Sequence, residues 1–384
     1  MAMVSFVGAA PAGTAVSQLA GALAERGHQV VLYQRRQANA PAAPDGVESV
    51  PLPAGPPTEL TEPEAIRHVG EFAAELARAL RRDRPDVVHS HYWLAGLATH
   101  LATRDSAIPV AHTFHQLQLL RDLRAPRGHA GSPDRSRAEW AIARHADRVI
   151  ACTDAEQDCL IHGGVPRQRV TVVPIGVDSE SLNPDGPADP RNRVFRLLLL
   201  GPCDQADVGI RALAALPDTE LTVAVRGGQR PADRLDRRRL HRLAERLRVA
   251  DRVSVAEASG GARRCALIRS ADAVVLLGPP DELDDLTLEA MACGVPVVAE
   301  HGVGSEAIVD GVTGIHLPGR NPKALAKPLR ELLANEPLRL GMGWAARDRA
   351  VNRYSWSRVA TETARVYHGM LSGGHYDAYH ARAS

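Results

Sequence analysis

A chain of 384 residues, 45% hydrophobic and 24% charged, is too long for one ordinary core and suits two domains of about 150–200 residues each. Its 46 Lys plus Arg nearly balance 45 Asp plus Glu, which argues against a polyanion-binding surface and so against nucleic acid as a partner. The only lysines are Lys323 and Lys327; with the abundant alanine this suggests a high-GC genome rather than a mechanism. Cys152, Cys159, Cys203, Cys265 and Cys293 make no CxxC pair and no disulfide framework, and read as small buried residues in a reducing cytosol. No secretory leader is visible and no apolar run approaches the roughly 20 residues of a membrane span. The expected location is cytoplasmic, with peripheral membrane contact left open.

Short apolar or β-branched runs alternate with amphipathic stretches, the pattern of βαβ units and a parallel sheet. Residues 4–7 predict a buried strand, broken by Gly8, Pro11 and Gly13. A helix over 14–26 carries Val16, Leu19, Ala20 and Leu23 on one face and stops at Gly27, and 30–33 gives a second strand. There follow a helix over 63–81, strands at 86–88 and 110–112, and an Arg-, Gly- and Pro-rich loop over 121–135. A helix at 137–146 and strands at 148–151 and 170–173 close the first half. Residues 183–193 hold three prolines, two aspartates and a glycine, and make the best linker. Beyond it the rhythm restarts, with strands at 196–200, 221–225, 253–255, 273–277 and 295–299 and helices that include 233–247 and 286–293. The expected plan is an α/β chain of two Rossmann-like domains, 1–185 and 190–355, with a C-terminal helix and tail at 356–384.

The run LEAMACGVPVVA at 288–299 resembles a segment of the family-4 glycosyltransferases. Downstream, Gly302, Gly304, Glu306, Val309, Asp310, Gly311, Thr313 and Gly314 are similar to that family's glycine- and acid-spaced run, and Tyr354-Ser355-Trp356 to its entry into the last helix. In the first half, the eight residues from His89 to Gly96, the four from His112 to His115, the DRVIA run at 147–151 and the PIGVD run at 174–178 continue the similarity. The match covers almost the whole chain in order, and the composition is actinobacterial-like. The resemblance implies the GT-B architecture: two facing Rossmann-like domains with parallel sheets, and a C-terminal helix returning to the N-terminal one. It also implies retaining transfer of a hexosyl group from a nucleotide diphosphate sugar to a hydroxyl of a small or lipid-linked acceptor. No cofactor beyond the donor and no metal is expected; four histidines near two strand ends do not supply a closed zinc set. The nucleotide would lie mainly on the second domain and the acceptor mainly on the first, with a cleft between them.

The resemblance assigns roles residue by residue. Glu289 would accept bonds from both ribose hydroxyls, with Leu286 and Thr287 beside it in the donor site; the bland reading is a first-turns glutamate favoured by about 0.3–1 kcal/mol from the helix dipole. Eight residues earlier, Asp281 stands where the family has a glutamate on the transferred sugar, with Glu282 next to it. His115 would donate to the donor sugar or phosphate, or pass a proton near neutral pH. His91 and Tyr92 belong to the acceptor side, whereas His89 and His112 read as satisfied core histidines. Gly13, at the opening of the first helix, and Gly176 would approach the donor.

The sequence also departs from the family. After Gly201 the family places Arg and then Lys on the donor diphosphate, but here no cation occurs before Ile210. Two lost charge-assisted bonds, at about 1.5–3 kcal/mol each, would weaken donor binding roughly 10²- to 10⁴-fold. A Pro-Phe-Gly-like stretch is replaced by Glu282-Leu283-Asp284-Asp285, and Asp284 and Asp285 are expected to cap the helix themselves. Two readings follow. Either another arginine meets the diphosphate, Arg226 first because it directly follows the 221–225 strand, with Arg230 in reserve, or the chain is a catalytically impaired paralogue acting as a partner or regulatory subunit. Phosphorylase-like chemistry would need a cofactor lysine, and Lys323 and Lys327 lie in an apparent surface helix.

Overall fold

The computed structural model describes residues 1–6, 11–38, 40–124, 132–201, 205–225, 231–258, 261–278 and 283–380. The chain divides into two compact units, Met1–Ile175 with Trp356–Ser384, and Gly176–Ser355. The division falls at Ile175, inside the PIGVD run, rather than at 183–193. That Pro-rich segment is part of the second unit, because buried Arg196 donates to the Pro190 carbonyl at 2.6 Å and Arg269 to the Asn183 carbonyl at 2.7 Å. Its composition is that of a linker, but its carbonyls are tied down by guanidinium groups.

The first unit runs β1 (Ala2–Ser5), α1 (Pro11–Ala24), β2 (Val30–Arg35), β3 (Val47–Leu52), α2 (Glu62–Ile66), α3 (Val69–Asp83), β4 (Val88–His91), α4 (Trp93–Thr103), β5 (Val110–Thr113), α5 (Gln118–Arg124), α6 (Pro133–His145), β6 (Arg148–Ala151), α7 (Asp154–His162) and β7 (Val170–Val172). Its sheet is parallel, in the order β3-β2-β1-β4-β5-β6-β7. The central strands β1, β4 and β5 are buried throughout, as two-sided coverage by helices requires. The C-terminal helix, Trp356–His380, packs Val359, Ala360, Ala364 and Tyr367 into one buried cluster with Val16, Leu19 and Leu23 of α1.

Several expectations are corrected here. The first helix begins at Pro11, three residues early, so Gly13 lies within its first turn. The expected helix over 63–81 is two helices, because a capping box at Thr61, where Glu64 accepts from the Thr61 N–H at 2.8 Å, starts a short separate turn. The ends of the expected 121–135 loop belong to α5 and α6, and 125–131 lie outside the described residues.

The second unit runs β8 (Phe195–Leu200), α8 (Ala206–Leu213), β9 (Thr219–Val225), α9 (Pro231–Arg246), β10 (Val253–Glu257), α10 (Gly261–Arg269), β11 (Ala273–Leu276), α11 (Asp284–Ala292), β12 (Val297–Glu300), β13 (Gly314–Leu317), α12 (Pro322–Ala334) and α13 (Glu336–Tyr354). Its parallel sheet is ordered β10-β9-β8-β11-β12-β13. In each unit the strand order reverses beside the first strand, at β1/β4 and at β8/β11. Ligands of open α/β sheets bind outside the carboxyl ends of strands at such a switch point. Gly201 and Gly278, just past β8 and β11, adopt φ of 136° and 144°, a region essentially reserved for glycine.

Candidate functional site

On the first unit, side-chain alternation along β4 sorts four histidines into two kinds. Ser90 faces one side, where its hydroxyl meets His112 Nδ1 at 2.8 Å. The His112 ring lies under α4: a Cβ on Gly96 would come within 2.5 Å of its Cε1. His89 and His91 share the opposite side, with ring centroids 3.9 Å apart. Both nitrogens of His89 are satisfied, by Tyr367 Oη at 2.6 Å and Thr113 Oγ1 at 2.9 Å. His89 is therefore a core histidine that ties the C-terminal helix to the sheet.

His112 Nε2, however, is buried with no partner among the described residues, so His112 is not the satisfied core histidine expected. His91 and His115 pair with each other. His91 Nδ1 and His115 Nε2 lie 3.1 Å apart, so one donates and the other accepts. Their remaining nitrogens, His91 Nε2 and His115 Nδ1, are buried and meet no partner among the described residues. Such orphaned polar atoms call for an explanation, and a polar ligand supplies one. Burial pushes the His115 pKa down to about 4 and holds His91 well below the usual histidine range, the neighbouring imidazoles adding to it. At neutral pH both rings are uncharged, so they suit donating a hydrogen bond better than accepting a proton. The backbone is strained here as well: Tyr92 has φ 70° and His115 φ 60°, left-handed conformations that cluster at functional sites.

Tyr92 turns toward a polar cluster. Its hydroxyl donates to Glu62 Oε2 at 2.5 Å and accepts from Arg135 Nη1 at 3.2 Å, and burial pushes its pKa up to about 12. Arg135 also donates to Glu139 at 2.9 Å and to the Gln116 carbonyl at 2.7 Å. Glu139, fully buried, accepts from the Gln118 N–H at 3.1 Å at the start of α5. Arg135 and Glu139 thus fix the segment that follows His115. The i,i+4 spacing of opposite charges on α6 was the available signal for this pair.

On the second unit, Glu289 is 9% exposed and makes a two-point pair with Arg264: Nη2 donates to Oε1 at 2.7 Å and Nε to Oε2. Burial works against the Arg264 charge, but the Glu289 carboxylate more than offsets it and raises its pKa. Sequence reading missed Arg264, which lies 25 residues from Glu289 and is brought to it only by the packing of α10 beside α11. Leu286 and Thr287 also differ from expectation. Asp285 Oδ1 takes the Leu286 N–H at 2.9 Å, and the fully buried Thr287 bonds back to the Leu283 carbonyl at 3.0 Å. Thr287 is wedged under Gly304, where a Cβ would come within 2.7 Å of its methyl group. Asp284 Oδ1 accepts from the Gly304 N–H at 2.9 Å. Gly176 precedes Val177, whose N–H donates to the Tyr354 carbonyl at 2.7 Å. Arg226, Arg230, Asp281 and Glu282 lie outside the described residues.

Two family models match: Glycosyltransferase Family 4 over residues 12–181 and Glycosyl transferases group 1 over 200–349. The D-inositol 3-phosphate glycosyltransferase 1 of Catenulispora acidiphila is 32% identical over 94% of this chain and 90% of its own length. The D-inositol 3-phosphate glycosyltransferase of Actinosynnema mirum is 33% identical over 92% and 90%.

The chain belongs to glycosyltransferase family 4.

Solved structures agree on the GT-B fold of this family-4 transferase. Sucrose-phosphate synthase from Thermosynechococcus elongatus superposes with a TM-score of 0.82 at 22% identity, covering 97% of this chain and 99% of that one. Anabaena HepE in complex with UDP and glucose gives 0.73 at 17% identity, covering 95% and 98%. The actinobacterial character expected from composition fits the source of these inositol-phosphate transferase relatives. Among the described residues, no helix of the transferase is long and apolar enough to cross a membrane.

Proposed function

We propose that this family-4 glycosyltransferase moves a hexosyl group from a nucleotide diphosphate sugar to a hydroxyl acceptor with retention of configuration and without a metal. The observation that carries the proposal is the His91–His115 pair. Two neutral imidazoles stand at neighbouring strand ends, each with a buried nitrogen that has no partner among the described residues. His115 donates its hydrogen bond to the donor's sugar or phosphate, and Asp281 and Glu282 receive sugar hydroxyls. Glu289, oriented by Arg264, accepts from the ribose. Amides of the first turn of α1 at Gly13 and the Gly176 backbone complete the donor side, with Leu286 and Thr287 beside the ribose site although their own amides are bonded to Asp285 and the Leu283 carbonyl. His91 and Tyr92 face the acceptor. Charge that develops on the leaving diphosphate is stabilised by guanidinium and amide donors already in place. The curated relatives are named for D-inositol 3-phosphate, so a phosphorylated cyclitol is the first acceptor to test.

One observation favours a second reading, an impaired paralogue serving as a partner subunit: Asp285 already occupies the Leu286 amide, and the Gly201 loop lacks the family's cations. A thermal-shift screen against UDP-, ADP- and GDP-hexoses separates the two. A bound donor at 100 times its dissociation constant adds about 2.7 kcal/mol of stability. No shift with any donor would overturn the transferase reading in favour of the paralogue.

A further inference from the structure

A cation that the sequence did not reveal lies beside Gln205, at the end of the segment after Gly201 that lacks the family's Arg and Lys. Arg320 follows β13 in a Gly319-Arg320 turn, remote in sequence from β8. Its Nη1 nevertheless donates to Gln205 Oε1 at 2.6 Å, at the residue that opens α8. Its Nε and Nη2 both donate to Glu300 Oε2, at 2.8 and 2.6 Å. Glu300 ends β12, and the same oxygen accepts from the Gly278 N–H at 3.2 Å, just past β11. One guanidinium is therefore stretched over the carboxyl ends of this sheet, from β12 past β11 to the loop that follows β8. Ligands of such a sheet lie on this edge at the β8/β11 switch point, and Gln205 closes the very segment that lacks the family's Arg and Lys. These three bonds use three of the five N–H donors of a guanidinium, so two remain among the described residues for a ligand. With its side chain 36% exposed, Arg320 is accessible to one.

We propose that Arg320 is the diphosphate-binding cation of this transferase, held in place by Glu300 and Gln205 where the family uses a Gly-Arg…Lys loop. This rests on the donor reading above. Guanidinium is suited to the role because its planar donors match phosphate oxygens in pairs. The Glu300 carboxylate holds the group and offsets its charge until the diphosphate arrives.

The test is calorimetric titration of the wild type, Arg320→Gln, Arg320→Lys and Arg226→Gln with UDP, ADP and GDP, each beside its parent nucleoside. For the diphosphate that the wild type binds, Arg320→Gln should lose about 10- to 100-fold in affinity, the range of one charge-assisted contact. Its nucleoside affinity should stay within about twofold, a split that a merely structural role would not produce. Arg320→Lys should recover part of the loss, since a point charge keeps attraction without the paired geometry. Melting temperatures should match the wild type, because the pair is solvent-accessible. Arg320→Gln with unchanged diphosphate affinity, or the loss appearing in Arg226→Gln instead, would overturn the assignment. A wild type that binds no nucleoside diphosphate at all would overturn the donor reading and this inference with it.

Discussion

Removing the Glu289 carboxylate exposes how the nucleotide side is held. Arg264 and Glu289 keep 19% and 12% of their side-chain surface in water and share two N–H···O contacts. Breaking a buried pair by removing one partner costs about 3–5 kcal/mol; with this residual exposure, Glu289→Ala should cost about 2–3 kcal/mol. Arg264→Ala should cost a similar amount by stranding the carboxylate. Replacing both partners, as Arg264→Met with Glu289→Leu, should cost less than either single loss, since no unpaired charge is left. The two units need not unfold together, so the readout is hydrogen exchange of the α11 amides rather than a global melt. Single and paired replacements that add within about 0.5 kcal/mol would refute the coupling. Nucleoside affinity should fall with Arg264→Ala as well as with Glu289→Ala, because the guanidinium orients the carboxylate that meets the ribose. A Glu289→Ala protein of wild-type stability and affinity would remove both roles.

Three further outcomes are expected. His115→Ala should lower transfer far more than His89→Ala, while His89→Ala should lower the melting temperature more, because it releases both Tyr367 and Thr113; equal losses of activity would return His115 to the core. Burial holds His89 and His115 neutral with pKa values pushed down to about 3 and about 4, so below about pH 6.5 the unfolded chain takes up protons that the folded one refuses. Stability should therefore be unaffected by these groups above about pH 6.5 and fall from there toward about pH 4, by up to about 1.4 kcal/mol per pH unit for each imidazole; an acid titration of the melting temperature that is flat over this window would contradict it. Gly96→Ala should destabilise the first unit by about 1–3 kcal/mol, because the new methyl meets His112 Cε1 at 2.5 Å and Ile142 at 3.0 Å; unchanged α4 protection in hydrogen exchange would argue against that packing.

What could be read from the sequence follows a physical line. Strands buried on both faces, such as β8 and β11, announce themselves as apolar runs. β3 does not: Glu48, Ser49 and Pro51 lie on an edge strand with its two ends buried and its middle open, where a proline is tolerated. β13 is four residues with a glycine and a histidine, too short to carry a period. The histidines drew attention because each follows or ends a strand, but that rule did not separate His89, with both nitrogens bonded, from His112, whose Nε2 has no partner among the described residues. The core assignment of His89 rested on that rule alone, and the Tyr367 partner 278 residues away gives its reason. Arg264 and Arg320 were invisible for the opposite reason. In an arginine-rich chain nothing local marks the guanidinium that the fold carries to a carboxylate on another element. The same blindness made 183–193 look like a linker, since proline content reports backbone stiffness and not whether carbonyls are bound.

The most direct test of the account is the stereochemistry of the product. Wild-type protein is incubated with UDP-, ADP- and GDP-hexoses and D-inositol 3-phosphate, and the anomeric proton of any product is followed by NMR with the release of nucleoside diphosphate. The account expects turnover of one α-linked donor to an α-linked product. A β-linked product, or no turnover of any donor, would contradict it.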